Sequence, residues 1–346
     1  MLRKLSLSLA SLLIALLCAE LVLRLAGAAP EVGVVRQGRF QLSANPRIGY
    51  EPVPELHYEG EDLSFYDYQG TGNRLGYRDR DHAEEKPPDV FRIVVLGDSI
   101  GAGLRVARFE DTFPAILERL LRERGQNAEV INFSVSGYNT RQEVETLAER
   151  GLRYQPDLVL LAYSMNDREQ VDGAILERLL EQRRAGTTVD PNRSAPVLVR
   201  SALWRFLRYR AFPPPRRQLD EELRRYRELL SGDTVAASFA DLAELSRREG
   251  VPVLVALFPR LPRWHSLPGP TQEHRAIAEL SRRHGFQYLD LLGAFRACRT
   301  GSKAPLAFDT LHPTPRGHAC AARALAGAVM AMMANRDRPA TGRPTP

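Results

Sequence analysis

Apolar runs of strand length recur along most of this chain, and they alternate with stretches of helical periodicity. The runs are FRIVVLG at 91–97, AEVINFS at 128–134, DLVLLAYS at 157–164, VPVLVALFP at 251–259 and FQYLDLL at 286–292. The helical patterns lie at 112–124, 141–151, 234–248, 271–284 and 315–334. Continuous apolar strands separated by amphipathic helices are typical of a parallel sheet that is covered on both faces. We therefore predict an α/β fold, a three-layer α/β/α sandwich around a central, mainly parallel five-stranded sheet.

The first of these runs ends in a serine between glycines, in the sequence GDSIG at 97–101. Such a serine can be the nucleophile of a trypsin-like protease, of an α/β-hydrolase or of another esterase, or it can belong to a phosphate-binding turn. Trypsin-like proteases are all-β proteins, and an α/β-hydrolase has sheet strands before its nucleophile, which residues 31–88 do not provide. The phosphate-binding patterns G-x-x-x-x-G-K-[ST] and G-x-G-x-x-G fail at Ala102 and Val106. An esterase nucleophile of another type is the favoured interpretation.

Three further polar blocks follow later strands or precede the last helix. INFSVSGYNT places Gly137 in a loop after the second strand, and YSMND places Asn166 at the end of the third. DTLHP places Asp309 three residues before His312, next to the last helical pattern. The carboxyl ends of parallel strands meet at one edge of a sheet, where such folds collect their active sites. We therefore expect these side chains to lie near Ser99.

With Ser99, Gly137, Asn166 and His312 in this order, the chain resembles the SGNH hydrolases, also called GDSL esterases, of the exported or membrane-anchored bacterial type. The resemblance covers residues 92–334 without the insertion described below, and it implies a flavodoxin-like fold. It also implies cleavage of carboxylic esters through a covalent acyl-enzyme, with no cofactor and no metal. The oxyanion hole that it implies consists of the backbone N–H groups of Ser99 and Gly137 and the side-chain amide of Asn166.

The chemistry of the residues supports the same roles. A serine hydroxyl is a weak nucleophile at neutral pH, so it needs a base within hydrogen-bond distance and a group that orients this base. We expect His312 to be the base and Asp309 to orient it. Asp98 and Asp167 are expected to be structural carboxylates, whereas His318 is a weaker candidate for the base.

Two alternatives to an esterase stay open. A polysaccharide O-acetyltransferase would use Ser99, Asn166 and His312 but would exclude water from the acyl-enzyme. A catalytically silent binding module of the cell envelope would need none of them intact. For an exported esterase, we expect the substrate to be a lipid or an acylated glycan of the cell envelope or the extracellular space.

The N-terminal segment has the pattern of a targeting sequence. Two basic residues precede the uncharged run LSLSLASLLIALLCA at 5–19. This pattern indicates export or anchoring, with the N-terminus in the cytoplasm and the catalytic domain in the periplasm or outside the cell. AGA at 26–28 resembles a cleavage site, but Glu20 and Arg24 make an unusually long, charged region before it. We favour an uncleaved single-pass anchor, because a helix over 5–26 reaches about 30 Å and spans a bilayer. Secretion after cleavage is the alternative.

The composition divides the chain into regions. We assign residues 1–30 to the signal-anchor or signal peptide, and 31–88 to a linker and irregular pre-domain segment. The catalytic domain takes 89–334, and its insertion at 168–232 is longer than an ordinary connection between a strand and a helix. The polar, proline-bearing residues 335–346 are expected to be disordered.

The positive charge is concentrated in the insertion. The whole chain has a formal net charge of +6, and residues 191–219 include seven arginines but no acidic residue. These arginines are Arg193, Arg200, Arg205, Arg208, Arg210, Arg216 and Arg217. The segment is either a solvated loop whose aromatic side chains pack on the domain, or an amphipathic cover over the Ser99 cleft that contacts anionic lipid headgroups or an anionic glycan. No nucleic-acid-binding module is recognisable, so we expect no nucleic-acid partner.

Two of the three cysteines lie on either side of the last polar block. Outside the cytoplasm, Cys298 and Cys320 can form a disulfide, and the alternative is two buried thiols. The sequence does not decide between them, because pairing depends on the distance between their Cα atoms.

Overall fold

The protein is described by a computed structural model, which covers residues 2–32, 36–58, 70–167, 174–184, 188–189, 196–212, 216–229, 235–262, 267, 269–300 and 304–336. The chain divides into two compact units. The smaller unit consists of Met1–Glu51 and Gly173–Leu229, and the larger unit consists of Pro52–Asp172 and Leu230–Pro346. All the residues that the sequence places in the active site belong to the larger unit.

The strands and helices of both units are numbered here in chain order. The strands are β1 (Glu31–Val32), β2 (Arg36–Gln37), β3 (Phe40–Leu42), β4 (Tyr50–Pro52), β5 (His57–Tyr58), β6 (Gly70–Thr71), β7 (Phe91–Gly97), β8 (Ala128–Asn132), β9 (Leu158–Ser164), β10 (Thr188–Val189), β11 (Val253–Phe258) and β12 (Gln287–Asp290). The α-helices are α1 (Leu2–Leu25), α2 (Ser99–Ala102), α3 (Phe113–Glu123), α4 (Thr140–Glu149), α5 (Ala174–Arg184), α6 (Pro196–Val199), α7 (Ala202–Phe206), α8 (Arg216–Leu229), α9 (Val235–Glu249), α10 (Gln272–His284), α11 (Leu292–Arg299) and α12 (Pro315–Arg336). Short 3₁₀ helices lie at Phe109–Asp111 and Gly151–Tyr154, and a π-helix lies at Leu207–Ala211.

The larger unit is built around one parallel sheet of five strands in the order β8-β7-β9-β11-β12. Strands β7, β9 and β11 are buried along almost their whole length, which agrees with their continuous apolar sequences. The strand order changes direction beside β7, and open α/β sheets bind their ligands at such a switch point. The predicted α/β fold with a parallel five-stranded sheet is confirmed.

Helices cover both faces of this sheet. On one face, α3, α11 and α12 pack together, and Phe113 and Leu325 join Ile93 and Val95 of β7 in a single hydrophobic core. Since neighbouring strand residues point to opposite faces, Val94 lies on the other side, which α4, α9 and α10 cover. Helix α12 is long and apolar enough to cross a membrane by composition, but it supplies side chains to the core of the larger unit.

The predicted and observed element boundaries differ most at 286–292. The sequence predicts a strand over the whole stretch, whereas β12 ends at Asp290 and α11 begins at Leu292. Oδ1 of Asp290 accepts the N–H of Leu292 at 2.8 Å and so satisfies a donor at the start of the helix. Most other boundaries shift by only one or two residues. Residues 337–346 of the predicted tail lie outside the described residues.

The smaller unit contains strands from the stretch that the sequence assigns to a linker. Strands β2, β3 and β4 form a sheet in this order, and α5 packs against β2 and β3. Strand β1 pairs in parallel with β10 of the insertion. Helix α7, also in the insertion, packs against α1. The described part of the insertion up to Leu229 therefore packs with residues of the N-terminal segment.

Candidate active site

The GDSIG block forms the turn between β7 and α2. Ser99 is the first residue of α2 and is buried, and Asp98 caps this short helix by accepting the N–H of Ile100 at 2.8 Å. Position 101 requires glycine, because a Cβ on Gly101 would lie 2.0 Å from the Oγ of Ser134. The helix ends after one turn at Gly103, whose φ of 71° is left-handed. The turn therefore holds Ser99 at the carboxyl end of β7.

Ser99, His312 and Asp309 form a continuous hydrogen-bonded relay. The Oγ of Ser99 lies 2.9 Å from Nε2 of His312, and Nδ1 of His312 lies 2.8 Å from Oδ2 of Asp309. The other oxygen of Asp309, Oδ1, accepts the backbone N–H groups of Leu311 and His312, each at 2.8 Å. A carboxylate beside Nδ1 favours the tautomer with the proton on Nδ1, so Nε2 can accept the proton of the serine.

Asp309 is kept ionised by its hydrogen bonds. Burial raises the pKa of its carboxyl, but the N–H groups of His312 and Leu311 and the His312 ring together bring this pKa below its usual value. Farther out, Nη1 of Arg105 lies 3.6 Å from Oδ2 of Asp309, and the guanidinium lies 5.0 Å from the centre of the Phe308 ring. At neutral pH the carboxylate is charged and can stabilise a His312 imidazolium.

Gly137 and Asn166 follow the two strands that flank β7. Gly137 has a φ of 80°, which glycine adopts without strain. The amide oxygen of Asn166 accepts a hydrogen bond from the Ser164 hydroxyl, and the Asn166 side chain also bonds to the carboxyl of Asp98. Among the hydrogen bonds of the described residues, none has the backbone N–H of Ser99 or of Gly137 as its donor. Both N–H groups are thus available to a ligand.

A cluster of buried acids lies behind these loops. Thr140 donates its hydroxyl to Oδ2 of Asp167 at 2.9 Å, whereas Oδ1 of Asp167 and both oxygens of Glu143 have no hydrogen-bond partner within the described residues. Burial raises the pKa of Glu143 well above its usual value, and Asp167 and Asp98 raise it further. Burial and Asp98 likewise raise the pKa of Asp167. No sequence pattern singles out Glu143, since a glutamate in an amphipathic helical pattern is typical of a solvent-facing position.

Arg78 is a second buried residue that no sequence pattern predicts. Its Nη1 donates to the carbonyls of Ala102 at 3.2 Å and Gly103 at 2.6 Å, and its Nη2 donates to those of Val106 at 2.6 Å and Ala107 at 3.3 Å. These carbonyls end α2 and line the loop that follows it. Arg78 therefore fixes the backbone directly after the serine turn.

His318 does not share the position of His312. Its Nδ1 accepts the N–H of Phe113 at 3.1 Å, and its ring stacks on the Phe113 ring with 6.1 Å between their centres. Burial, together with the charges of Arg78 and His312, lowers the pKa of His318 to about 3. The imidazole is therefore neutral at physiological pH and serves packing, which removes it as a competitor for the base.

Cys298 and Cys320 form a disulfide that joins α11 to α12. Their Cα atoms are 6.3 Å apart, within the usual range for a disulfide. The bridge closes the stretch of chain that carries Asp309 and His312. Of the two alternatives left open by the sequence, the structure has the disulfide.

Several known proteins are similar to this chain. A curated arylesterase from Vibrio mimicus is 38% identical over 76 residues, which are 22% of this chain and only 38% of the length of that relative. Similar solved structures include an acetyl xylan esterase, AlAXEase, at 15% identity over 69% of this chain and 100% of that chain, with a TM-score of 0.41. Another is TesA, at 17% identity over 70% of this chain and 99% of that chain, also with a TM-score of 0.41. The model of the GDSL-like lipase/acylhydrolase family matches residues 95–320, which is more than half of the chain and includes every motif of the predicted resemblance. This protein therefore belongs to the GDSL-like lipase/acylhydrolase family.

Proposed function

We propose that this protein is a serine esterase that hydrolyses acyl (carboxylic) esters through a covalent acyl-enzyme. The relay from Ser99 through His312 to Asp309 is the observation that carries this proposal, because each neighbouring pair is in hydrogen-bond contact. Membership of the family supports the same class of reaction. Ser99 is the nucleophile, His312 is the general base, and Asp309 orients His312 and stabilises its charged form.

The reaction proceeds in two halves. Nε2 of His312 takes the proton of Ser99 while Oγ attacks the carbonyl carbon of the ester. The negative charge moves to the carbonyl oxygen, where the N–H groups of Ser99 and Gly137 and the amide of Asn166 stabilise it. His312 then protonates the departing alcohol as its bond to the acyl carbon breaks. In the second half, His312 activates water in the same way, and the acid leaves Ser99.

Hydrolysis of short-chain nitrophenyl esters tests this proposal. The wild type should hydrolyse them, and Ser99→Ala should fall to the background rate. Ser281→Ala is a matched control, since its hydroxyl bonds to the carbonyl of Ile277 within α10. Acetyl transfer to a polysaccharide without hydrolysis would favour the O-acetyltransferase alternative. The absence of both reactions would favour the silent binding module.

We propose that α1 stays attached as a single-pass membrane anchor, with the catalytic unit in the periplasm or outside the cell. Residues Ser6–Leu25 are long and apolar enough to cross a membrane. Within this span, Glu20 accepts hydrogen bonds from residues 201–203, and Arg24 donates one to the carbonyl of Arg200. Cleavage after residue 28 would remove all these contacts. The disulfide also favours a location outside the cytoplasm.

The proposed anchoring of the catalytic unit outside the cytoplasm limits the substrates and partners that we propose. The substrate is a lipid or an acylated glycan of the envelope or the extracellular space, and the arginine-rich stretch 193–217 contacts an anionic lipid or glycan. Arg193 itself lies outside the described residues. Mass spectrometry of the N-terminal peptide tests the anchor: carbonate-washed membranes should yield a peptide that includes α1. A soluble chain that begins after residue 28 would instead support secretion.

A further inference from the structure

Among the described residues, the large exposed apolar side chains are confined to the smaller unit. Apart from α1, the large ones occur at Val32 and within residues 196–212, all in the smaller unit. In 196–212 they are Val197 (81% exposed), Leu198 (45%), Leu207 (42%) and Phe212 (74%). Such residues are normally scattered singly over a surface, whereas a cluster marks an interaction site. We name the segment 196–212, which comprises α6, α7 and the π-helix, the platform.

The platform is tied to the second half of α1. Glu20 accepts the hydroxyl of Ser201 at 2.9 Å and the next two backbone N–H groups at 2.8 Å each, so that its carboxylate satisfies the donors at the start of α7. Arg24 donates to the carbonyl of Arg200 at 2.5 Å. Arg205 extends the tie by donating to the carbonyl of Pro30 at 2.8 Å. These bonds fix where the platform lies along α1.

The hydrogen bonds between α1 and the platform determine how deep the platform lies in a membrane that α1 spans. The apolar window Ser6–Leu25 has 20 residues. That length is about 30 Å of helix and matches the hydrocarbon core of a bilayer. Glu20 precedes the end of this window by five residues, or about 7 Å along the helix axis. Interfacial amphipathic segments lie about 5–10 Å deep in the boundary between headgroups and acyl chains. The platform is held at this depth.

The polar and aromatic side chains of the platform suit the same location. Trp204 and Tyr209 pack edge to face with 5.8 Å between ring centres, and the guanidinium of Arg208 lies 5.5 Å from the centre of the Tyr209 ring. Arg208 and Arg210 are exposed, and no acidic residue between 191 and 219 offsets their charge. Trp and Tyr are enriched at the headgroup level, and arginines extend toward the phosphates.

We infer that the platform inserts into the outer leaflet of the membrane that α1 spans. Its exposed apolar side chains enter the boundary between headgroups and acyl chains, and Arg208 and Arg210 bind the phosphates of anionic phospholipids. A phospholipid surface is favoured over a glycan, because a glycan offers no apolar phase to Val197 and Phe212. This inference rests on the proposed anchoring by α1. It gives the chain a second attachment to the same membrane.

Quenching of Trp204 fluorescence in the full-length chain tests the insertion. Trp264→Phe leaves Trp204 as the only tryptophan. The Trp264→Phe variant is reconstituted into vesicles of phosphatidylcholine and phosphatidylglycerol and isolated by flotation. The acyl chains of the vesicle lipids carry bromine either near the headgroup or near the end of the chain. Bromine near the headgroup should quench Trp204 at least about twofold more than bromine near the tail, because interfacial segments are shallow.

Substitutions in the platform assign the effect to its parts. Val197→Ser with Phe212→Ser should lower the quenching by about half or more, because the inserted apolar area is lost. Arg208→Gln with Arg210→Gln should remove the dependence of quenching on phosphatidylglycerol. Arg282→Gln with Arg283→Gln on α10 removes the same charge from another exposed surface and should change nothing.

Flotation, quenching and hydrolysis separate the proposals. A chain that does not float contradicts the anchor and the platform together. A chain that floats with Trp204 unquenched overturns the platform alone, and arginine-dependent binding of that chain to an anionic polysaccharide would assign the segment to a glycan. Hydrolysis of nitrophenyl acetate by the same vesicles is a separate readout of the esterase, which the platform substitutions should leave unchanged.

Discussion

The hydroxyl of Thr140 donates to the carboxyl of Asp167 at 2.9 Å, and this bond joins the two loops that carry Gly137 and Asn166, two of the three proposed oxyanion donors. Thr140 begins α4 three residues after Gly137, and Asp167 directly follows Asn166. Gly137 and Asn166 follow separate strands, so the spacing between these two donors depends on contacts between their loops. Thr140 and Asp167 are therefore positioning residues for the proposed reaction.

Thr140→Val should lower kcat for nitrophenyl acetate by about 10- to 100-fold, with a smaller effect on KM, because a displaced donor weakens binding of the transition state more than binding of the ester. Valine keeps the shape of threonine but leaves Oδ2 of Asp167 without this donor. Thr140→Ser is the matched control and should retain most of the activity. Equal kcat values for the two variants would show that the bond does not position the donors.

Glu143→Gln should stabilise the folded protein at neutral pH. The folded pKa of Glu143 is raised by burial and by Asp167 and Asp98. Its favourable contribution to folding is therefore fully present below the unfolded pKa of about 4.3 and is lost as the pH rises toward the folded pKa. Glutamine does not titrate and escapes this loss.

Urea unfolding over a pH series measures this difference. The free energy of unfolding of Glu143→Gln, relative to the wild type, should be lowest near pH 4 and should rise with pH toward neutral, because only the wild-type carboxyl loses stability between its unfolded and its raised folded pKa. Glu123→Gln, at an exposed position of α3, is the control and should show little pH dependence. A relative stability that stays flat or falls with rising pH would contradict the raised pKa of Glu143 in the folded protein.

Arg78→Lys should lower kcat by about 10- to 100-fold, because a single ammonium group cannot replace a planar guanidinium that bonds to carbonyls on both sides. Arg80→Lys is the matched control, since Arg80 is partly exposed and pairs with Glu118. Rates are compared per folded molecule, with the folded fraction taken from circular dichroism. Equal kcat values for the two variants would mean that the loop after α2 keeps its position without the guanidinium of Arg78.

The sheet and the polar blocks could be predicted from the sequence because both are local signals. An apolar run predicts a buried strand, and a polar block at its end falls at the carboxyl edge, as it does for Ser99 after β7 and Asn166 after β9. His312 could be placed near Ser99 through the resemblance of the ordered motifs. The distances between these side chains come only from the fold.

Other parts of the site depend on contacts between distant segments. Arg78 lies in GYRDRD at 76–81, a charged pattern typical of an exposed loop, yet it is buried against four carbonyls. In the sequence, Glu20 is typical of the polar end of a signal peptide, whereas in the structure its carboxylate caps the start of α7. The polar residue types are visible in the sequence, but their partners are more than 20 residues away and have no periodic signal.

Activation of Ser99 by His312 is tested most directly by a fluorophosphonate probe whose adduct is located by tandem mass spectrometry. The wild type should have one adduct, on Ser99, and Ser99→Ala should have none. The reaction of His312→Ala with the probe should be at least about 1,000-fold slower than that of the wild type, because the hydroxyl then lacks its base. An adduct on another residue, or labelling of Ser99→Ala at the wild-type rate, would contradict the proposed nucleophile.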